Sequence, residues 1–235
     1  MINKRINKDP FKVISIILLI LFGISIYIML NNKDENNVVL SNKVKCTSQE
    51  DKKIVVIDMG HGGNDVGAQS IDGETSEKDI SLEIGLKVTE IIEENSNIEV
   101  LNTRDTDEYL SLSDRIEFCN DNNADIFVSL HCNADPNGTS STNGIETFYW
   151  KNETDESYDL ANSIQSSIIN SLDVRDREVK RDDYAVVKST DCPSVLVEMG
   201  FLTNNVELNN LSDEEYQTKM AQAIVDGIQE YLNIE

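Results

Sequence analysis

The chain has 235 residues and carries 43 acidic against 20 basic side chains, which gives a formal net charge of −23 at pH 7. An acidic surface repels phosphate backbones and anionic lipid headgroups, so the composition argues against a nucleic-acid partner and against a basic membrane-binding face. The length allows one catalytic-sized domain, with a core large enough to fold without disulfides, together with an appendage.

The N-terminal segment predicts a transmembrane signal-anchor. Residues 13–30 (VISIILLILFGISIYIML) carry no charge, and at about 1.5 Å per residue they nearly span a hydrocarbon core of ~30 Å. The basic residues of segment 1–12 keep that tail cytoplasmic by the positive-inside rule, so the chain after residue 30 is predicted to be extracytoplasmic. A cleaved signal peptide is the alternative, but the apolar run exceeds a typical signal-peptide core and no A-x-A-like site follows.

Residues 31–52 are polar, rich in Asn, Lys, Asp and Glu, and predict a flexible linker. From residue 53 to residue 235 the chain predicts one domain in which strands and helices alternate. The strands are predicted at 54–58, 98–102, 126–130, 144–150 and 194–198, and the helices at 77–94, 113–122, 155–171 and 213–232. This order predicts an α/β fold with a twisted, mostly parallel sheet that is covered on both faces.

Both histidines of the chain follow short apolar strands. His61 comes after the first predicted strand and His131 after the third. Ligands and catalytic groups of α/β proteins gather where strands end, and neutral imidazole is the commonest metal ligand. The pair therefore indicates a metal site, with two polar strand caps as the alternative. The polar loop at 135–143, next to His131, is predicted to shape a substrate groove.

A third ligand is needed to complete a catalytic zinc site, for which His₂Glu is one standard set. Glu77 is a candidate because it opens a helix after the loop that follows His61. Asp58 and Asp65 are closer to His61 in sequence and stay open as rivals. An acidic residue at a helix N-terminus is also explained by the helix dipole, without any metal.

Glu198 closes the apolar run of the last predicted strand. A carboxylate at the end of a buried strand is costly unless it is paired or functional. In a parallel sheet it lies at the same edge as the two histidines, where it can act as a general base. An ordinary solvent-exposed carboxylate at a strand end is the alternative.

The four cysteines form no CxxC pair and no metal-ligand spacing, so they are expected to be mostly free, half-buried thiols. Cys132 is a possible nucleophile because it adjoins His131. Neighbouring residues on a strand point to opposite faces, however, so the Cys132 side chain is predicted to face away from the site.

Six segments of the chain carry a family resemblance. They are VVIDMGHGGNDVGA (55–68), SEKDISLEIGLKV (76–88), LNTRDTDEYLSLSDRIEFCN (101–120), IFVSLHCNA (126–134), GIETFYW (144–150) and PSVLVEMGFLTN (193–204). Together they resemble the zinc-dependent N-acetylmuramoyl-L-alanine amidases of the third amidase family (amidase_3). The resemblance implies that His61, Glu77 and His131 hold Zn²⁺, that Glu198 is the catalytic residue, and that the sheet has six strands flanked by helices.

The chain also departs from the pattern of that family. Met59 stands where relatives usually carry proline, Cys132 where alanine is common, and Glu178 replaces the glycine of an Arg-Gly-Val-Lys stretch. The first two adjoin the metal ligands and are expected to loosen the metal site. Arg104 and Arg115 match a conserved-looking stretch of the family, and we interpret them as structural ion-pair partners rather than substrate contacts.

One anchor and one amidase domain, without wall-binding repeats or an autoinhibitory helix, resemble the membrane-anchored CwlD-type sporulation and germination amidases of spore-forming Firmicutes, including clostridia. This resemblance implies action on peptidoglycan of the spore cortex, where a separate deacetylase completes muramic-δ-lactam formation. It also implies a lipoprotein activator that stabilises zinc binding, and a location between the forespore and mother-cell membranes.

Two other classes of function stay open. One is another zinc hydrolase of peptidoglycan, such as a peptidase or a deacetylase, although the H-E-x-x-H signature of common metalloproteases is absent. The other is a non-catalytic wall-binding protein with the same fold.

Overall fold

The computed structural model describes residues 52–150 and 155–234, in which a six-stranded sheet lies between two layers of helices. The strands are β1 (Lys53–Met59), β2 (Ile98–Asn102), β3 (Ile126–Asn133), β4 (Ile145–Tyr149), β5 (Asp176–Arg181) and β6 (Ser194–Phe201). The helices are α1 (Glu77–Glu93), α2 (Leu112–Asp121), α3 (Glu156–Ser171), α4 (Ala185–Lys188), α5 (Asn205–Leu211) and α6 (Glu214–Leu232).

The strand order is β2-β1-β3-β6-β4-β5. Four neighbouring pairs are parallel and the β4–β6 pair is antiparallel, so the sheet is mixed, with the parallel majority that the sequence predicts. The central strands β1, β3 and β6 are almost entirely buried, as their continuous apolar runs predict.

Strand β5 was not located by the sequence pattern. Its sequence DREVKR has one apolar residue among charged ones, and it lies at the edge of the sheet. Charged side chains on an edge strand prevent pairing with other chains, so the polar sequence of β5 suits its position. The same polarity explains why a search for apolar runs does not predict this strand. The short helices α4 and α5 were also not predicted, because they are too short to show a helical period.

Two apolar clusters hold the layers together. The larger one packs α1, α3 and α6 against one face of the sheet, and the smaller one packs the region of α2 and α4 against the other. Met59 and Cys132 both belong to the larger cluster, and the Met59 side chain packs against Gly85 of α1. The Cys132 side chain therefore packs into the core beneath the cavity of the candidate site, which it helps to line, on the opposite face of β3 from His131, as strand alternation predicts.

Within residues 52–150 and 155–234, no helix combines the length and the apolar character needed to cross a membrane. The predicted tail at 1–12, the anchor at 13–30 and the linker up to residue 51 lie outside the described residues.

Asp58 is a fully buried carboxylate near the end of β1. It accepts hydrogen bonds from Arg115 Nη1 at 2.6 Å, Thr103 Oγ1 at 2.7 Å and Ser129 Oγ at 2.6 Å. Burial by itself would raise the pKa of Asp58, but Arg115 and the two hydroxyls outweigh it and hold the pKa below its ordinary value. Asp58 thus ties β1 to β3, α2 and the end of β2.

The last carbonyls of β1 are bound by two buried arginines. Arg115 donates to the carbonyl oxygens of Met59 at 2.7 Å and His61 at 2.6 Å. Arg104 donates to the carbonyl oxygens of Met59 at 2.8 Å and Gly60 at 2.9 Å. Both arginines are almost fully buried, which agrees with their interpretation as structural residues.

We predict that Arg115→Met destabilises the protein by about 3–5 kcal/mol, because it leaves the Asp58 carboxylate buried without its counter-ion. Urea unfolding followed by circular dichroism measures this free energy. Lys53→Met is the control, since Lys53 forms a half-exposed ion pair with Asp125 and should cost less than about 1 kcal/mol. Equal effects of the two substitutions would contradict the importance of the buried pair.

Candidate active site

His61 lies just past the end of β1, where the chain turns sharply. Its φ angle is 60°, a left-handed conformation that is uncommon for a residue with a side chain. The hydrogen bond from Arg115 to the carbonyl oxygen of His61 stabilises this conformation. The turn directs the imidazole across the edge of the sheet, toward the first turn of α1.

Glu77 is the first residue of α1 and is buried. Its Oε1 lies 2.7 Å from His131 Nδ1, and its Oε2 lies 3.1 Å from His61 Nε2. Backbone N–H groups of Cys132 and Ala68 donate to the same carboxylate at 3.0 and 2.7 Å. One carboxylate therefore bridges both histidines and is fixed by two backbone donors.

Electrostatics follow from this arrangement. Burial would raise the pKa of Glu77, but the hydrogen bonds and charges of His131 and His61 hold it well below its ordinary value. Burial disfavours a charged imidazole, yet Glu77 and Asp65 raise the pKa of His61 to about 9. The pKa of His131 is raised as well, against its burial, mainly by its hydrogen bond to Glu77. The cluster is thus built to keep positive charge beside Glu77.

The donor set fits a metal ion. One ligand atom from each of His61, Glu77 and His131 can be chosen so that all lie within 4.8 Å of one another. The imidazole rings lie 5.0 Å apart at an interplanar angle of 78°. Two imidazoles and one carboxylate form a standard ligand set for a catalytic zinc.

In the structure, Glu77 lies between the two histidines, and neither Asp58 nor Asp65 does. The Asp58 carboxylate accepts hydrogen bonds from Arg115 and from two hydroxyls, so it is not available as a ligand. Asp65 Oδ2 lies 2.9 Å from His61 Nδ1, on the outer side of that ring, and its side chain is half exposed. The geometry of this contact does not satisfy a hydrogen bond, and Nδ1 is buried without another partner among the described residues.

Glu198 and His131 lie inside their strands, β6 and β3, because both strands run about three residues further than the predicted 194–198 and 126–130. The two residues are paired in the parallel β3–β6 ladder. The Glu198 side chain is buried, and its Oε2 has no hydrogen-bond partner within the described part of the chain. Burial raises the pKa of Glu198 to about 7; the charge of His131 opposes this rise, while Glu77 and Glu146 add to it. A carboxyl group that titrates near neutrality suits proton exchange with a substrate.

A cavity of about 350 Å³ opens over these four side chains. Its lining also includes the largely apolar side chains of Leu112, Tyr184, Ala185, Val186 and Leu196. Helix α4 and the adjoining Tyr184 were not predicted as part of the site, and their short segment carries no periodic signal. The loop at 135–143, predicted to shape the groove, contributes no residue to the lining of this cavity.

The chain is similar to known proteins in sequence and in fold. The Amidase_3 family, described as N-acetylmuramoyl-L-alanine amidase, matches residues 55–230. The chain is 38% identical over 183 residues to the N-acetylmuramoyl-L-alanine amidase LytC of Bacillus subtilis, an alignment that covers 75% of this chain and 35% of LytC. It is 31% identical to the germination-specific N-acetylmuramoyl-L-alanine amidase of the same organism, over 76% of this chain and 79% of that protein.

Among solved structures, the chain is similar to the CwlD amidase from Clostridioides difficile in complex with the GerS lipoprotein. The two are 41% identical with a TM-score of 0.73, over 78% of this chain and all of that chain.

We predict that Gly60→Ala weakens metal binding at least tenfold. An added Cβ at this position would lie 2.5–2.8 Å from three atoms of the His131 ring, so the ring must move. Titration with Co²⁺, followed by its visible absorption, measures the affinity. Gly73→Ala is the control: a Cβ there meets nothing within 4 Å, and its φ of 74° strains only an exposed turn, so the substitution should lower stability without changing the metal affinity. Wild-type affinity in Gly60→Ala would show that the His131 ring does not contribute to binding.

Proposed function

Because this chain belongs to the Amidase_3 family of N-acetylmuramoyl-L-alanine amidases, we propose that it is a zinc-dependent hydrolase of peptidoglycan. Its substrate bond is the amide between the lactyl group of N-acetylmuramic acid and the L-alanine of the stem peptide. The observation that carries the proposal is the convergence of His61, Glu77 and His131 beside the unpartnered carboxyl oxygen of Glu198.

His61, Glu77 and His131 are the proposed zinc ligands. A zinc ion held there would supply a Lewis acid that polarises the amide carbonyl and lowers the pKa of a water molecule. Glu77 is fixed by the N–H groups of Ala68 and Cys132, so it has little freedom to move as a ligand. Fixed second contacts of this kind orient metal ligands and strengthen binding.

Glu198 is the proposed general base and acid. Its buried Oε2 faces no protein donor among the described residues, so it is available to accept a proton from the attacking water. The same oxygen then delivers that proton to the departing nitrogen of L-alanine. A pKa near 7 lets one carboxyl group serve in both directions at neutral pH. The apolar lining around Tyr184 limits water around the reacting amide.

We further propose a role in spore cortex formation or germination, with a lipoprotein activator that supports zinc binding. The support is the similarity to a germination-specific amidase and to CwlD, which was solved in complex with the GerS lipoprotein. In this role the enzyme removes stem peptides from muramic acid, and a separate deacetylase completes the δ-lactam. The predicted anchor at 13–30 would hold residues 53–235 outside the cytoplasmic membrane, between the forespore and mother-cell membranes.

The reaction products separate this proposal from the alternatives. Mass spectrometry of digested peptidoglycan should show peptides with a free N-terminal L-alanine and intact glycan chains. Acetate release would indicate a deacetylase, and cleavage within the stem peptide would indicate a peptidase. Binding to peptidoglycan without any product, in a sample that contains zinc and the lipoprotein, would indicate a wall-binding protein.

We predict that Glu198→Gln lowers the rate of amide hydrolysis by about 10²–10⁴-fold, because the amide side chain cannot take up the proton. The rate is measured by mass spectrometry of the released peptides, with zinc added to both proteins. Glu215→Gln is the control, since its carboxylate is on the surface of α6 and pairs only with Lys219 among the described residues. Activity of Glu198→Gln within tenfold of wild type would exclude the proposed base.

We predict that His131→Ala and Glu77→Gln lose zinc, because each removes one of the three proposed ligands. Metal analysis after dialysis should show at least a tenfold fall in zinc per protein. Glu198→Gln should retain the wild-type content, which separates ligand loss from loss of the base. Full zinc occupancy in His131→Ala would contradict the proposed ligand set.

A further inference from the structure

A second buried carboxylate lies next to the candidate active site. Glu146 of β4 is paired with Glu198 in the antiparallel β4–β6 ladder and is itself buried. It accepts hydrogen bonds from Asn133 Nδ2 and Arg177 Nε, both at 2.8 Å, and from Lys180 Nζ. Asn133 lines the active-site cavity, so this cluster is continuous with the site.

The two cations of the cluster are only partly engaged. Glu146 binds Arg177 through Nε and Lys180 through Nζ, and the Glu207 carboxylate also interacts with the charge of Arg177. The Lys180 side chain is 38% exposed, and only one of its three N–H donors is used by Glu146. The terminal nitrogens of Arg177 have no hydrogen-bond partner among residues 52–150 and 155–234, while its guanidinium lies 4.9 Å from the Phe201 ring centroid.

Two other cations near the site already use their hydrogen-bond donors within the protein. Arg104 and Arg115 are buried and donate to backbone carbonyls and to Asp58. Within the described part of the chain, Arg177 and Lys180 are therefore cations that keep donors for a ligand next to Glu146, the strand partner of Glu198. In a chain with a net charge of −23, two neighbouring cations with unused donors are a specific feature.

A bulge in β5 sets the position of Arg177. Ile145 is paired with Asp176 and Thr147 with Val179, so two residues of β5, Arg177 and Glu178, lie opposite the single residue Glu146. Glu178 has a φ of 68°, the left-handed conformation found in such bulges. The bulge lays Arg177 over Gly144, where an added Cβ would lie 2.8 Å from Arg177 Cγ.

We propose that Arg177 and Lys180 form a carboxylate subsite for the stem peptide of the substrate, on the peptide side of the scissile amide. This inference rests on the proposed amidase function. The ligand is the α-carboxylate of the second stem-peptide residue, D-isoglutamate, which follows the released L-alanine.

The distance between Glu198 and the Glu146 cluster is consistent with this assignment. Side chains directly opposite each other on paired strands have Cβ atoms about 5 Å apart, which sets the separation of Glu146 from Glu198. Consecutive residues of a peptide have Cα atoms about 3.8 Å apart. The span from the first nitrogen of the peptide to its second residue therefore matches the separation of Glu198 from Glu146. Charge-assisted hydrogen bonds there would discriminate a carboxylate from the amide of D-isoglutamine.

The test compares two muramyl pentapeptides that differ only at the second residue, D-isoglutamate in one and D-isoglutamine in the other. With the full chain and added zinc, we expect kcat/KM to be at least tenfold higher for the acid. Lys180→Met should reduce this ratio below threefold, and Lys180→Arg, which keeps the charge, should restore it. Lys53→Met is the control, because it removes an ion-paired lysine at the opposite end of β1 and should leave the ratio unchanged.

The ratio separates recognition from a structural role. If Lys180 only neutralises Glu146, its removal slows cleavage of both peptides equally and the ratio stays at its wild-type value, which would overturn the subsite. Equal kcat/KM values for the two peptides in the wild-type enzyme would also overturn it, without needing any variant to fold. Cleavage of neither peptide, nor of whole peptidoglycan, would overturn the amidase proposal itself and the subsite with it.

Discussion

The end of β1 is held by two buried arginines, and the candidate site depends on that constraint. The carbonyl oxygens of Met59, Gly60 and His61 cannot pair with another strand where the chain turns, and buried carbonyls without donors are costly. Arg104 and Arg115 supply those donors, and Asp58 balances the charge of Arg115. With its carbonyl bound, His61 can adopt a left-handed conformation and point toward Glu77.

Two carboxyl groups of the site have opposite environments, and this gives them different chemistry. Glu77 receives two backbone N–H groups and two imidazoles, which hold its pKa low and keep it anionic. Glu198 is also buried but has an unpartnered oxygen, and its pKa is raised to about 7. An always-ionised group suits metal ligation and a group that titrates near neutrality suits proton transfer. The fold thus separates the two roles by placing hydrogen-bond donors around only one of them.

The single antiparallel pair in the sheet also has a functional consequence. Because β4 runs against β6, Glu146 near the start of β4 lies opposite Glu198 in the middle of β6. The charged edge strand β5 then brings Arg177 and Lys180 to Glu146. Edge charges that protect a sheet from aggregation are thereby placed around Glu146, the strand partner of Glu198.

The sequence by itself determined the alternation of strands and helices, the burial of β1, β3 and β6, and the position of His61 and His131 at one edge, because each follows from local hydrophobic patterns. The strand pattern indicated Glu198, and the family resemblance, rather than spacing, favoured Glu77 over Asp58 and Asp65. Only the tertiary structure decided which acidic side chain lies between the histidines and which cations surround Glu146. Glu77 and His131 are 54 residues apart, and Glu146 and Lys180 are 34 apart. Contacts over such separations depend on strand order, register and a bulge, none of which a local pattern encodes.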